Sequence, residues 1–384
     1  MTNTNVDAFD AAVIGAGIAG ASVASELAQA GLRVLLLETE SQPGYHTTGR
    51  SAALYSEAYG NDVIRAITTA SRPFYEAPPA GFASHPLLTP RGVLMTGRTD
   101  QLDKVHAEAA AVATRVRNVR VIDADAALAR VPVLRREQVA AALLEPDAMD
   151  IDVNALHQGY LRSAKAHGVV LALDAQVIAI EREPSGWRLQ TRQAHSSTWR
   201  AQAVVNAAGA WGDEVAALAG VRRVGLAPLR RTALVFDASP GLDVRGWPAV
   251  VDIDESWYFK PDAGAVIASP ADETPSPPCD AQPDELDVAM CVDRLQQATT
   301  FDIRRIKHAW AGLRTFAPDR TPVVGYEPDA GGFFWLVGQG GYGIQTAPAM
   351  ARLAAQLVQQ RALPADIEAL GASAAQLSPR RFRS

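Results

Sequence analysis

The segment Ala11-Ala-Val-Ile-Gly-Ala-Gly-Ile-Ala-Gly20 constrains this chain more than any other. Its apolar run 11–14 fits a buried strand, and Gly15, Gly17 and Gly20 form a G-x-G-x-x-G pattern at the strand's end. Each glycine has its own task. Gly15 allows the tight turn into a helix, Gly17 lets backbone approach a pyrophosphate, and Gly20 permits close helix–strand packing. Residues 21–30 are good helix formers, and Gly31 suits the helix end. Free N–H groups at the helix start, at the positive end of its dipole, hold phosphates without a basic side chain. A second strand at 33–37 delivers Glu38, eighteen positions after Gly20, where a carboxylate can accept hydrogen bonds from a ribose. Strand, glycines, helix, strand and acid in register predict an adenine dinucleotide site contacted by Gly15, Gly17, Ile18, Ala19, Gly20 and Glu38.

The chain has 384 residues, 48% hydrophobic and 20% charged, ordinary for a globular protein of two or three domains or one two-lobed unit. A net charge of −6 without a long basic run argues against a nucleic-acid partner. No window reaches about eighteen uninterrupted apolar residues, so no transmembrane helix is expected. The opening MTNTNVDAFD has no signal-peptide pattern, and a cytoplasmic location is the expectation. Cys279 and Cys291 form no C-x-x-C pair and read as isolated thiols. The seven histidines lack metal-ligand spacing, so no metal is expected.

After the first β-α-β unit, residues 41–60 read as a glycine- and hydroxyl-rich loop leading into a helix. Helices are predicted at 101–113, around 123–130 and at 150–166, with strands at 169–173, 176–181 and 187–191. Residues 204–211 read as a buried strand ending in small residues and opening a helix at 211–219. Alternating strands at 231–236, 248–253, 256–260 and 264–268 suggest an antiparallel sheet. Residues 270–283 read as a surface loop, 332–338 as a strand and 344–361 as a terminal helix. The dinucleotide elements are thus not contiguous, an arrangement typical of flavoproteins that lay FAD across the chain. The expected class is α/β: a Rossmann-like FAD-binding domain (8–60, 145–222 and 320–384) interleaved with a substrate domain (61–144 and 223–319) built on an antiparallel sheet.

The loop Gly44-Tyr-His-Thr-Thr-Gly-Arg-Ser-Ala-Ala53, the strand Val204–Trp211, Trp310-Ala-Gly-Leu-Arg314 and Gly338-Gln-Gly-Gly-Tyr-Gly-Ile-Gln-Thr346 resemble the D-amino acid oxidase family of FAD enzymes. The resemblance runs over essentially the full length, including His157-Gln-Gly-Tyr-Leu and Leu377-Ser-Pro-Arg-Arg, and is strongest toward arginine-specific dehydrogenases of that family. It implies an antiparallel sheet roofing a non-covalently bound FAD, since residues 309–318 contain no cysteine for covalent attachment. It implies further flavin contacts at His46, Thr48, Gly49, Arg50, Ser51, Ala208, Gly209, Trp211, Arg314, Gly340, Gly341, Tyr342, Gly343, Ile344 and Gln345. Around the substrate carboxylate it places Arg231, Arg314, Tyr59 and Tyr258, with the Gly341 carbonyl accepting from the amine. Arginine can take a carboxylate bidentately through charge-assisted bonds. The plainer alternative makes Arg231 and Arg314 surface ion pairs. His157, in a helical stretch, reads as a packed or exposed histidine rather than a general base.

Departures from the arginine-specific pattern bear on the substrate. Val93 stands where those enzymes carry a glutamate for the guanidinium, Leu54 replaces a histidine, and Ala249 replaces a methionine. With Ser56, Glu57 and Val251 these positions form the expected side-chain pocket. Glu57 is the one residue that could substitute for the missing acid, although an exposed glutamate is the commoner case. The implied reaction oxidises a small amino acid, expected to be a D-amino acid with an apolar or neutral side chain. Hydride passes to flavin N5, and the imino acid hydrolyses to a 2-keto acid and ammonia. Oxygen or a quinone would reoxidise the flavin, in a monomer or weak homodimer. Two other readings stay open: oxidation of glycine, a secondary amine or a 2-hydroxy acid on the same fold, and a non-catalytic flavin-binding subunit or sensor.

Overall fold

The computed structural model describes residues 8–192 and 197–383. Its first sheet is built around the strand Phe9–Ile14, which pairs in parallel with Val34–Leu37 on one side and with Ser197–Asn206 on the other. The helix Ile18–Gln29 carries the chain from the first of these strands to the second, across the sheet face. Phe333–Val337 joins beyond Ser197–Asn206, again in parallel, and Val323–Tyr326 closes that edge antiparallel. Strands far apart in sequence therefore share one layer. Helices Ile18–Gln29 and Gly343–Val358 pack beneath it, burying Val23, Leu27, Met350 and Leu353 against Val13, Leu36 and Phe334.

The helix start depends on glycine at two points. Gly15 takes φ +99, in the left-handed region, and a Cβ there would lie 2.6 Å from the Ala207 carbonyl oxygen. At Gly20 a Cβ would lie 1.8 Å from the Gly15 carbonyl oxygen. The helix is seated so tightly on the turn that no side chain fits.

The second sheet has nine strands among the described residues and forms a roof. At its centre Ala227–Asp237 pairs antiparallel with His308–Phe316 and with Ala265–Ser269, followed by Tyr258–Asp262 and Ala249–Asp252. One pairing differs from the expected antiparallel pattern: Ala249–Asp252 runs parallel to Val93–Gly97. These strands are separated by about 150 positions with other elements between, so no hairpin dictates their direction. Val93–Gly97 then pairs with Ala141–Glu145, and that with Arg120–Asp123.

The sequence reading places most elements to within a few residues. It misses the helix Glu285–Ala298, and among the strands it misses are Val93–Gly97, Arg120–Asp123, Ala141–Glu145, His308–Phe316 and Val323–Tyr326. The stretch 270–283, read as loop, contains one short pairing at Thr274–Pro275. The helix Asp62–Glu76 follows the expected domain boundary at residue 61. Asp62–Glu76 sends Val63, Ala66, Ile67 and Ala70 into the core of the first sheet, so it packs with the dinucleotide layer. No helix among the described residues is long and apolar enough to cross a membrane.

The seat of the first helix gives a direct test. Gly20→Ala drives a methyl into the Gly15 carbonyl, and overpacking of this kind costs about 1–3 kcal/mol. Thermal unfolding of the variant should begin several degrees lower. An unchanged Tm would mean that the helix does not sit against this turn.

Candidate flavin and substrate site

Between the two sheets lies a cavity of about 1610 Å³, larger than the roughly 300–1,000 Å³ of ordinary small-molecule pockets. Its floor begins at the glycine turn. Gly15, Gly17, Ile18 and Ala19 line it, and Glu38 stands at the end of the neighbouring strand. The Glu38 carboxylate accepts from the Ala16 amide (2.8 Å) and the Glu40 amide (3.0 Å), which fixes its direction. Thr48 reaches over from the glycine-rich loop, and its Oγ1 accepts from the Ile18 amide at 3.0 Å. Beneath the turn, buried His157 donates from Nε2 to the Ala16 carbonyl at 2.8 Å. His157 is the packed histidine that its helical setting implies.

The loop 44–53 is stitched to the roof. Thr47 Oγ1 donates to the Leu313 carbonyl (2.8 Å), Arg50 Nη1 to the Ala311 and Ala281 carbonyls (2.9 and 2.7 Å), and Trp310 Nε1 to the Arg50 carbonyl (2.9 Å). The Gly340 amide donates to the Thr315 carbonyl at 2.9 Å. One roof strand thus holds both loops that border the cavity.

Strand alternation explains which roof residues face inward. Register pairs Arg231 with Gly312 and Leu229 with Arg314, so Arg231 and Arg314 are diagonal neighbours on one face. Val251 is opposite Tyr258, and Ala249 is opposite Val93. Apart from Leu229, all of these residues line the cavity. The Arg314 guanidinium lies against Gly341, where a Cβ would be 3.0 Å from Cζ, and donates to the Tyr59 hydroxyl at 3.4 Å. Burial and the like charge of Arg314 push Arg231 below the ordinary arginine range. Burial pushes the Tyr59 phenol up, with Arg314 opposing, so it remains a neutral hydroxyl. Arg231 Nε donates to the Asp272 carbonyl (2.7 Å), and its Nη2 lies 3.4 Å from Glu273, which also holds Arg320 at 2.7 Å.

Leu54, Val251 and Met95 pack around the buried trio Val93, Ala148 and Ala249 to form an apolar recess. Ser56 lines the cavity, with its hydroxyl donated to Glu145 at 2.6 Å. Glu57 departs from the expectation. It is neither exposed nor in the recess: its carboxylate accepts from Tyr55 Oη (2.8 Å) and Arg72 Nε (2.9 Å). Leu54 and Ser56 face the cavity, whereas Tyr55 and Glu57 point toward the helix Asp62–Glu76, through Tyr55 Oη to the Thr68 carbonyl and Glu57 to Arg72. Gly20 and Gly49 also lie off the cavity wall. Gly20 packs under the turn, and Gly49 closes a turn through its amide to the Gly44 carbonyl at 2.8 Å. The remaining expected contacts, His46, Arg50, Ser51, Ala208, Gly209, Trp211 and Gly340 through Gln345, all line the cavity.

Glu255, Lys260, Glu273, Thr315 and Gln339 are lining residues that escaped the sequence reading. Lys260 could have been found, because it stands two positions beyond Tyr258 on the same strand face. Glu273 lies in the stretch read as surface loop, where no periodicity marks an inward side chain. Cys279 and Cys291 are free thiols and neither lines the cavity.

The sequence profile described as DAO, FAD dependent oxidoreductase, matches residues 10–357. The chain belongs to this family. FAD is accordingly its cofactor, and the residues present suit it. The glycine turn leaves backbone open to a pyrophosphate. Three buried polar atoms on the cavity wall, His46 Nδ1, Thr315 Oγ1 and Gln339 Nε2, lack a partner among the described residues, as expected of groups that meet a ligand. Among relatives, mitochondrial dimethylglycine dehydrogenase of Mus musculus is 23% identical over 94% of this chain and 43% of its own length. The chain spans less than half of that protein, and 31% of its Rattus norvegicus counterpart. Glycine oxidase of Geobacillus kaustophilus is 23% identical over 94% of this chain and 95% of its own. The crystal structure of glycine oxidase from that organism superposes with a TM-score of 0.81 at 22% identity, over 92% of this chain and 95% of that one. The structure of L-proline dehydrogenase from P. horikoshii superposes at 0.80 and 21% identity, over 98% of both.

His157 sets a pH dependence. Burial holds its imidazole below the ordinary histidine value, so the folded protein resists a proton that the unfolded chain accepts near pH ~6.5. Stability therefore declines as pH falls below about 6.5, because the unfolded state binds more protons. His157→Gln keeps an amide donor for the Ala16 carbonyl without this titration. Between neutral and mildly acidic pH its Tm should fall less than that of the wild type. Parallel Tm–pH curves would remove His157 as the cause.

Proposed function

We propose that this protein oxidises the Cα–N bond of a free amino acid, and that the substrate is a D-amino acid whose side chain is apolar or neutral. The observation that carries the reading is the pair Arg231 and Arg314 on one face of the roof, beside the Tyr59 hydroxyl. Two guanidiniums at an enclosed wall suit a carboxylate, which each can grip through charge-assisted bonds. Their mutual repulsion is relieved when an anion arrives. In this reading Tyr59 and Tyr258 add phenol hydroxyls to the carboxylate end, and the Gly341 carbonyl accepts from the substrate amine.

FAD, when bound, supplies the ring whose N5 accepts a hydride. The chain's own contribution is positioning: the arginines fix one end of the substrate, Gly341 the amine, and the recess the side chain, so that the α-carbon is presented in one orientation. The backbone of loop 44–53 and the start of the helix Gly343–Val358 bring amide dipoles that favour negative charge nearby. Water then hydrolyses the imino acid to a 2-keto acid and ammonia. The amine and amino acid substrates in the names of the relatives agree with this reaction class. The D configuration follows from the resemblance of the roof arginines and tyrosines to those of D-amino acid oxidases.

Anaerobic mixing with each enantiomer of the amino acids tests the reading, since a substrate bleaches the flavin. If none does, the reading fails. Arg231→Met or Arg314→Met should retain FAD yet lower kcat/KM on the best substrate. A lost hydrogen bond to a charged group is worth about 1.5–3 kcal/mol, roughly 10- to 150-fold. Near wild-type values for both variants would put the carboxylate elsewhere.

The recess also predicts a poor fit for D-arginine. Val93 brings no charge, and Glu57 is committed to Arg72. A buried guanidinium without a partner costs about 3–5 kcal/mol. Comparison of D-arginine with D-leucine and D-methionine should favour the apolar pair, and Val93→Glu should shift preference toward D-arginine. A wild-type preference for D-arginine would refute this pocket assignment.

A further inference from the structure

The apolar recess has one charged wall. Lys260 follows Tyr258 by two positions on the strand Tyr258–Asp262, shares its inward face and lines the cavity while only 6% exposed. Tyr258 is opposite Val251, so Lys260, two positions on, shares the face that carries Val251 and Ala249, and Ala249 is itself opposite Val93. The lysine thus stands in line with the two small apolar residues of the recess. Its Nζ donates to Asp150 Oδ1 at 2.6 Å. Asp150 in turn is the cross-strand partner of Leu54, on the recess's other side.

Asp150 does not neutralise this lysine by itself. Its second oxygen, Oδ2, accepts from Arg91 Nε at 2.6 Å, so two cations share one carboxylate and the cluster keeps a net positive charge. An ammonium carries three N–H donors. Among the described residues, Asp150 is the one side-chain acceptor that Lys260 reaches. Donors buried against apolar walls without acceptors are costly, and an oxygen brought in by a ligand removes that cost.

We infer that Lys260 is a specificity determinant which donates a hydrogen bond to an oxygen at the end of the substrate's side chain, so that amide- or carboxylate-ended amino acids are taken in preference to isosteric apolar ones. This inference rests on the amino-acid-oxidising reading above and revises its side-chain class, from apolar or neutral to oxygen-ended, with an anionic end admitted beside a neutral one. The same ammonium repels a cationic side chain, adding to the absence of an acid at Val93. The amide and the carboxylate offer the same acceptor chemistry. D-glutamine and D-glutamate separate a neutral hydrogen bond from a charge pair.

The test uses the FAD-loaded protein and anaerobic reduction by D-glutamine, D-glutamate, D-norleucine and D-methionine. The wild type should show kcat/KM for at least one oxygen-ended substrate roughly tenfold or more above D-norleucine, the low end of what a hydrogen bond to a charged group is worth. Lys260→Met should erase that lead, with a loss of roughly 10- to 150-fold on the oxygen-ended substrates and little change on D-norleucine. Asp150 retains Arg91 in this variant, so Tm and bound flavin should stay close to wild type. Should Lys260→Met fail to fold, the wild-type ratio of D-glutamine and D-glutamate to D-norleucine still decides. A wild type that favours D-norleucine, or a variant equally impaired on all four substrates, overturns the inference while leaving amino acid oxidation in place. Absence of reduction by any amino acid overturns both.

Discussion

The site depends on the strand His308–Phe316, which belongs to the roof by pairing and to the floor by its loop contacts. Along one edge it exchanges main-chain hydrogen bonds with Ala227–Asp237, which sets the register that brings Arg231 and Arg314 to the same face. Its carbonyls at Ala311 and Leu313 accept from Arg50 and Thr47, and the Thr315 carbonyl accepts from the Gly340 amide. The distance between the dinucleotide turn and the two arginines is therefore fixed by hydrogen bonds rather than by a flexible hinge. A one-residue slip of this strand would turn Arg314 outward and replace it with a neighbour. A cavity large enough for a dinucleotide and a substrate survives between the layers because these ties hold the sheets apart at defined points.

Charge balance around the arginines follows from that placement. Arg231 is buried and lies close enough to Arg314 for the like charge to disfavour its own. Glu273 offsets part of this, and Arg320 holds the Glu273 carboxyl below the usual carboxylate range. The acid is thus shared outward toward Arg320 instead of closing on Arg231 alone. What remains is a positively biased wall with a neutral phenol at Tyr59. Such a wall is preorganised for an anion and costs little rearrangement when one binds.

Much of this architecture was legible in the chain. The glycine turn, the first helix and Glu38 could be read directly, because each obeys a local rule: backbone space at Gly15 and Gly20, helix propensity over 21–30, a strand ending at an acid. Elements defined by distant partners were harder. Val93–Gly97 pairs with strands on either side that are far away in sequence, and so short a stretch carries too little periodicity to announce it. Asp62–Glu76 belongs to the first core through Val63, Ala66, Ile67 and Ala70, a partnership that no local signal reveals. Glu57 shows the limit most clearly. Its place beside Ser56 suggested the pocket, yet the chain turns just after the short strand Leu54–Tyr55, and Tyr55 and Arg72 hold the Glu57 carboxylate on the opposite side.

In the proposed reading, substrate choice in this fold is decided by roof residues spaced by two. Arg231 and Tyr258 stand at the carboxylate end, in strands that flank Ala265–Ser269, and Val251, opposite Tyr258, begins the recess. One step further along the same faces lie Ala249, Val93 and Lys260. Because the strands are rigidly paired, a change at any of these positions alters the wall without moving the arginines. Carboxylate recognition and side-chain selection are therefore separable on one scaffold. That separation fits a fold whose members carry names as different as glycine oxidase and L-proline dehydrogenase. In this chain the second position combines small apolar residues with a half-shared ammonium, a combination that opposes a cation on two grounds: it offers no acid, and it already carries positive charge.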